Sequence, residues 1–310
     1  MKKTLLFLCF LATCVPLLAQ QSRLLPDEYF NRNDTSWYNR KTGSSLHFVS
    51  LINGNYDQAI AFAKTQLPDL EAEFILAVGY AAKGDADSAM MYVRSSLEKQ
   101  LPLGRYLAGD LEVMQPLLEL AAFKKMIEAT KPAILHGPMV GDVSARMANI
   151  WFRTYQEQLC EIELSRSKDF KKIDKSFSAQ TTAAKEFTTV AKLTGLKPNT
   201  TYYYRVKAQG AETYFSGSFT TFPKANKANQ FSIIFGGGAA FIPWRHQMWS
   251  TIYSHRPDAL FMMGDNVYID YPEVPQAQLY CYFQRQSEPQ WRRMIANTPI
   301  YAIWDDHDFG

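Results

Sequence analysis

The chain has 310 residues, 47% of them hydrophobic, and its 33 lysines and arginines nearly balance 30 aspartates and glutamates, for a formal charge of +3. This length and apolar content allow sizeable cores, and ordinary domain sizes predict two or three domains. The near-neutral charge argues against a surface that binds nucleic acid or anionic membrane electrostatically.

The first 19 residues have the pattern of a secretory signal. Lys2 and Lys3 precede an apolar run that ends in Leu17-Leu-Ala19, and the run is too short to span a membrane. We expect cleavage after Ala19 and therefore an exported protein, periplasmic or secreted. Removing the two lysines lowers the formal charge from +3 to +1. No later stretch is apolar for long enough to predict a transmembrane segment.

Two of the four cysteines, Cys9 and Cys14, lie in the signal. Cys160 and Cys281 are too few for a disulfide framework, and neither belongs to a zinc-type cluster. Both are predicted to be small core residues.

Residues 20–43 form a polar lead-in, and residues 44–131 carry apolar residues at helical spacing. Two segments in this region resemble each other, Asn53-Gly-Asn-Tyr-Asp-Gln-Ala-Ile60 and Lys83-Gly-Asp-Ala-Asp-Ser-Ala-Met90. Each places Gly at a turn and Ala five residues later, where neighbouring helices can approach closely. The pattern is typical of tetratricopeptide-like helix pairs, although the offset is shorter than the usual repeat of about 34 residues. So short a stack favours packing or spacing over peptide recognition.

Residues 132–226 change to short runs that are rich in β-branched and aromatic residues, which predicts a β-sandwich. Leu196-Lys-Pro-Asn-Thr-Thr-Tyr202, with Val206 four residues further on, matches a strand-entry pattern of fibronectin type III domains. Tyr202 is then the residue whose hydroxyl bonds back to the preceding backbone. Residues 223–229 are the predicted linker.

Three short apolar runs follow in residues 227–310, at positions 231–235, 259–263 and 300–304. The gaps between them are long enough for helical crossovers, so they are predicted to be buried parallel strands of a βαβαβ unit. The predicted fold is thus multidomain, with a helical repeat region, a β-sandwich and the start of an α/β domain.

Each of these runs stops at a small or polar cluster. The clusters are Gly236-Gly-Gly238, Gly264-Asp-Asn-Val-Tyr268 and Asp305-Asp-His-Asp308. Because ligands of open α/β sheets bind outside the carboxyl ends of the strands, these clusters should converge. Each residue alone has an ordinary explanation: Asp265 as a turn residue, Tyr268 as a core aromatic, Asp305 as a helix cap. Their occurrence at consecutive strand ends favours one site.

The sandwich followed by Gly-Asp-x-x-Tyr and Trp-Asp-Asp-His resembles the alkaline phosphatase D (PhoD-like) metallophosphatases over roughly residues 137–310. The resemblance implies a four-layer metallophosphatase domain, ferric iron and calcium as cofactors, and a phosphate monoester or diester as substrate. It implies that Asp265, Tyr268 and Asp305 are metal ligands, Asp265 bridging two metals and Tyr268 binding iron. It also implies that Asp306 and His307 are catalytic residues of the second metal and phosphate pocket.

Two departures weaken the transfer of this activity. Gly238 stands where the family has a cysteine ligand to iron, and Cys281 is not an obvious replacement. The family pattern also continues past Gly310 to further ligands, so we expect the chain to be a fragment with an incomplete site.

Two other hypotheses remain. One is a nucleotide or phosphate loop at residues 236–238, although these lack the G-x-G-x-x-G spacing. The other is a non-catalytic binding module or pseudoenzyme.

Overall fold

The computed structural model describes residues 47–109, 111–240, 246–269 and 274–309, all of which lie in one unit that spans residues 41–310. The predicted signal peptide, the whole lead-in (residues 20–43) and its boundary with the helical region lie outside these residues. Residues 47–52 are helical, and five helices follow before the first strand. They are α1 (Tyr56–Thr65), α2 (Leu70–Ala82), α3 (Ala86–Glu98), α4 (Leu111–Leu118) and α5 (Ala121–Thr130), with a 3₁₀ turn at Leu103–Tyr106.

The two similar segments adopt the same structure. Gly54 and Gly84 both take a positive φ after a helix, and a new helix begins two residues later in each case. The next N–H closes each turn: that of Asn55 donates to Ser50 O at 2.8 Å and that of Asp85 to Tyr80 O at 2.9 Å. This is the six-to-one bond of a Schellman helix end, which needs a left-handed residue. The repeat therefore lies in the helix ends, while its assignment as tetratricopeptide-like remains an interpretation.

Seven antiparallel strands form two sheets around one core. The strand orders are β1-β2-β5 and β4-β3-β6-β7, and their inward residues, such as Ile150, Leu164 and Tyr204, share one apolar cluster. The strands are β1 (Ile134–Gly141), β2 (Met147–Thr154), β3 (Gln158–Ser165), β4 (Lys175–Thr181), β5 (Thr188–Thr194), β6 (Thr201–Ala208) and β7 (Phe215–Thr220). Two sheets around a shared core are the arrangement expected of the predicted β-sandwich, and strands such as β2 and β4 alternate in burial along most of their length.

Tyr202 makes the bond that its sequence context predicts, because its hydroxyl accepts from the Lys197 N–H at 3.0 Å. Its side chain is buried in the sandwich core. Cys160 also lies in this core, where burial raises the pKa of its thiol to about 11. Cys281 is likewise buried.

The three apolar runs of the last segment form a parallel sheet in the order β10-β9-β8. Helices connect the strands on one face, where Trp249, Trp291 and Met294 pack over Leu260 and Met262. The elements are β8 (Ile233–Gly236), α6 (Gln247–Ser254), β9 (Ala259–Met263), α7 (Pro275–Ser287), α8 (Pro289–Ile295), β10 (Ile300–Ile303) and α9 (Asp306–Phe309). The predicted parallel strands and helical crossovers are therefore present, but only the central strand β9 is largely buried, whereas β8 and β10 are half-buried to exposed.

The opposite face of this sheet carries a row of apolar side chains. Phe235 stacks on Phe261 with ring centroids 5.3 Å apart, and Phe261 stacks on Tyr301 at 5.1 Å. Phe235 is 65% exposed and Ile303 is 55% exposed. Apolar patches of this kind on soluble proteins are usually covered by another structural element or a partner.

The sandwich is bonded directly to the end of α8. The Tyr204 hydroxyl and the Ser218 N–H both donate to Ala296 O, at 2.8 and 3.2 Å. Arg292 of α8 donates two hydrogen bonds to Gly137 O on β1. These buried polar contacts fix the α/β unit against the sandwich.

Candidate metal centre

The carboxyl ends of β9 and β10 bring three of the predicted site residues together. One ligand atom from each of Asp265, Asp306 and His307 lies within 4.8 Å of the others. Asp265 follows β9 directly, whereas Asp306 and His307 begin α9 after β10. Because β9 and β10 are parallel neighbours, their ends meet at one edge of the sheet. Two carboxylates and an imidazole at this separation form a plausible ligand set for a metal ion.

Tyr268 completes the group. Its hydroxyl donates to Asp265 Oδ2 at 3.2 Å, and its ring centre lies 4.3 Å from that of the His307 imidazole. The ring is buried, so the phenol oxygen is the part of Tyr268 that faces the cluster. Asp265 and Tyr268, the two predicted ligands in the loop after β9, thus lie at the same edge of the sheet as His307.

Asp265 has two features that fit a metal ligand. Its Oδ1 atom is buried without a hydrogen-bond partner among the described residues. A buried, unpaired carboxylate oxygen is costly unless another group compensates it, and a cation would do so. Its backbone also takes φ = 52°, a left-handed conformation that is uncommon for a residue other than glycine and that clusters at functional sites.

Gly264 allows the two loops to approach each other. It has φ = 96°, and a Cβ at this position would lie 2.5 Å from Asp305 Cβ. Any side chain at this position would push the loops apart. Asp305 itself lies beside the cluster rather than within it, since its Oδ1 accepts from the Asp306 N–H at 2.9 Å.

Asp308 is a residue of this site to which the sequence pattern assigned no role. It is 2% exposed and accepts hydrogen bonds from the N–H groups of Asn266, Val267 and Asp305. Its carboxylate also accepts from the Asn266 side-chain amide at 3.1 Å. Asp308 therefore fixes the loop after β9 to the segment after β10. The fourth polar residue of Asp305-Asp-His-Asp308 was the available signal, but neither acceptor geometry nor burial can be deduced from spacing alone.

Gly238 lies close to the predicted iron ligand. A Cβ at this position would lie 3.6 Å from Tyr268 Oη, and apart from the two chain neighbours it would meet no other heavy atom of the described residues within 4 Å. Position 238, where the resemblance predicts a cysteine, therefore faces the Tyr268 phenol. Gly238 has no side chain, but the space that a cysteine side chain would occupy beside the phenol is open.

The glycine turn does not form a phosphate loop. The N–H groups of Gly238 and Ala239 donate to Gly264 O and Asp265 O, at 3.3 and 2.8 Å. The Ala240 N–H donates back to Gly238 O at 3.0 Å. A phosphate loop presents such N–H groups to the ligand, whereas these bind the neighbouring loop. The hypothesis of a nucleotide site at residues 236–238 is therefore disfavoured.

Comparison with known proteins supports the resemblance drawn from the motifs. Residues 121–223 match the family model described as PhoD-like phosphatase, N-terminal domain. The resemblance to PhoD-like phosphatases is confirmed. No curated protein matches the sequence at a significant level.

Among solved structures, one described as "Structure of PhoD" is similar at 20% identity and a TM-score of 0.50. The match covers 56% of this chain and 38% of that one, so the chain spans well under half of the PhoD structure. At this identity the likeness is one of fold.

Two smaller structures match about a third of the chain. A computer-redesigned β-sandwich protein matches at 23% identity with a TM-score of 0.22, covering 30% of this chain and 95% of that one. A fibronectin type III domain from human KIAA0970 protein matches at 19% identity with a TM-score of 0.24, covering 34% and 85%. Scores this low do not establish a shared fold.

No described helix combines the length and apolar character needed to cross a bilayer.

Proposed function

We propose that this chain carries part of the active site of an exported, metal-dependent phosphatase that hydrolyses phosphate monoesters or diesters with a metal-activated water. The convergence of Asp265, Asp306 and His307 within 4.8 Å, beside the Tyr268 phenol, is the observation that carries the proposal. The PhoD-like match over residues 121–223 supports the reaction class, and the signal-like first 19 residues support export.

The four side chains suit the charge of a phosphate-ester reaction. Asp265 and Tyr268 would hold a metal through oxygen atoms, and Asp306 would add a second carboxylate to the same site. When bound, metal ions would neutralise the anionic ester and make bound water acidic enough to supply hydroxide near neutral pH. A phenolate suits ferric iron and carboxylates suit calcium, so both metals remain candidates.

His307 has a different role in this proposal. Its imidazole lies against the Tyr268 ring, and in this proposal one ring nitrogen donates a proton to the departing alkoxide. Asp305 lies next to this pair, and the proposal retains it as a further oxygen ligand. Two metal ions need about ten ligand positions or more, so these residues would be only part of the full set.

The test replaces Asp265 with Ala in the full-length protein. We expect loss of metal-dependent hydrolysis of p-nitrophenyl phosphate and bis(p-nitrophenyl) phosphate by at least about 100-fold. Asp258→Ala is the matched control, because Asp258 lies just before the same strand, at its other end, and its side chain bonds only the Ser232 N–H among the described residues. The control should keep its metal content and turnover. Near-normal turnover in Asp265→Ala would exclude the proposed role.

The same experiment separates the enzyme from a binding module. A full-length protein that binds metal stoichiometrically but hydrolyses neither ester would be a pseudoenzyme, and Gly238 would be the first position to examine. Binding of nicotinamide or flavin without metal would instead revive the nucleotide hypothesis.

A further inference from the structure

The helical region and the loop after β9 share one hydrophobic core. Most of its members come from the helical region, and the α/β unit contributes Val267, Ile269, Ala277, Tyr280, Cys281 and Phe283. Val267 and Ile269 flank Tyr268 directly. Because protein cores are close-packed and transmit strain, displacement of the helices would reach this loop.

A buried polar cluster fixes the contact between α2 and α7. Arg105 donates to both carboxylate oxygens of Glu71, at 3.1 and 2.9 Å, and the Tyr280 hydroxyl donates to Glu71 Oε2 at 2.7 Å. The Arg105 guanidinium lies between two rings, 4.2 Å from Phe74 and 4.5 Å from Tyr280. All three residues of the cluster are at least 92% buried, so each polar side chain depends on the others for compensation.

The next two residues of α7 contact the two loops of the metal centre. The Cys281 thiol lies 3.6 Å from Tyr268 O, and the Tyr282 hydroxyl donates to Asp308 O at 3.4 Å. Successive helix residues point about 100° apart, so three consecutive residues of α7 can contact three different neighbours. These neighbours are the helical region, the loop that carries Tyr268 and the loop that carries Asp306 and His307.

We propose that the helical region positions the metal centre. Glu71 and Arg105 of the helical region hold Tyr280, and Tyr280 fixes the position of α7, which contacts both loops of the centre. Tyr280 is a positioning residue in this arrangement, since it touches neither candidate ligands nor any group of the proposed reaction. The functional part of the inference rests on the proposed metal site. The mechanical part, that Tyr280 controls the order of residues 266–269, does not.

The test compares Tyr280→Phe with Tyr106→Phe in the full-length protein. Tyr106 is equally buried in the same core, but its hydroxyl bonds Ser96 at 2.8 Å, within the helical region. Each variant loses one buried hydroxyl bond and should lower the unfolding midpoint, Tyr280→Phe by more because its lost partner is a charged carboxylate. Amide hydrogen exchange at residues 266–269 is then measured without metal, and Ca²⁺ binding by calorimetry.

Exchange at residues 266–269 should be about tenfold faster in Tyr280→Phe, as expected for a lost bond to a charged group, and unchanged in Tyr106→Phe. Calcium affinity should fall about threefold to tenfold in Tyr280→Phe alone. Equal exchange in the two variants would overturn the positioning role, whatever the calcium results. Absence of calcium binding in the unmodified protein, with exchange still raised in Tyr280→Phe, would count against calcium in the proposed site and leave the mechanical coupling established.

Discussion

Asp308 Oδ1 accepts a 2.8 Å hydrogen bond from the Asn266 backbone N–H, which joins the loops that follow β9 and β10. The same carboxylate accepts from the N–H groups of Val267 and Asp305. Asparagine at position 308 has only one acceptor oxygen, so its NH₂ group would face at least one of these N–H groups, which would lose its acceptor. We predict that Asp308→Asn destabilises the fold by about 2 kcal/mol, because buried donors lose their acceptor. Urea denaturation measures this loss.

The control for Asp308 is Asp169→Asn. Asp169 also accepts from a hydroxyl and a backbone N–H, of Ser167 and Lys171, but in an exposed loop where water can replace the carboxylate. Its substitution should change the unfolding free energy by less than about 0.5 kcal/mol. Equal losses in the two variants would show that burial does not make Asp308 special.

Gly238→Cys is predicted to raise the iron affinity of the site. The new Cβ would lie 3.6 Å from Tyr268 Oη, which places a thiolate beside the phenol. The left-handed φ of 66° costs a side chain about 1 kcal/mol, less than a soft ligand contributes to iron binding. Iron content and a visible charge-transfer band after loading with iron measure the effect in the full-length protein.

Gly236→Cys serves as the matched control for this change. Gly236 belongs to the same glycine run, but a Cβ there would meet no heavy atom of the described residues within 4 Å beyond its chain neighbours. This variant should bind iron as the unmodified protein does. If both cysteines raise iron binding equally, the gain comes from an extra surface thiol and position 238 is not a ligand position.

The sequence predicted the elements whose signals are local. The apolar runs at 231–235, 259–263 and 300–304 became β8, β9 and β10, and the polar residues after the last two meet at one edge. Strand length, apolar content and the gap between runs sufficed for this, because parallel pairing then determines which ends converge.

Other elements gave no usable local signal. β1 contains Gly137-Pro138, a pair that argues against a strand, and β4 has polar side chains on its exposed face. The Ala121 that continues the apolar spacing of α4 begins α5 instead. The bond between Glu71 and Tyr280 joins residues 209 positions apart, so it follows from tertiary packing that no spacing rule contains.

Acid should destabilise this protein partly through His136. Its ring is fully buried against Phe283, and burial, with nearby Arg153, Arg292 and Arg105, holds its pKa well below the usual 6.5. Below about pH 6.5 the unfolded chain therefore binds a proton at His136 that the folded chain does not bind. Stability from this group is complete above about pH 6.5 and falls by up to about 1.4 kcal/mol per pH unit below it.

His136→Gln removes this titration while keeping a polar side chain near Ser287. Urea denaturation at pH 7.5 and pH 5.0 should show a smaller difference between the two pH values in this variant than in the unmodified protein. His255→Gln, at an exposed position, should retain the original difference. A difference that survives intact in His136→Gln would assign the acid sensitivity to other groups.

Gly217→Ala should separate the sandwich from the α/β unit. A Cβ at Gly217 would lie 1.9 Å from Ala296 O and 2.6 Å from the Tyr204 hydroxyl, so backbone must move and the bond between these two groups must break. We predict a loss of more than about 3 kcal/mol from overpacking and the unpaired hydroxyl together. Gly141→Ala is the control, because its Cβ would meet only Ile300 O, at 3.8 Å. Denaturant unfolding of both variants decides the matter: comparable midpoints would mean that the junction at Ala296 yields easily and does not hold the two regions together.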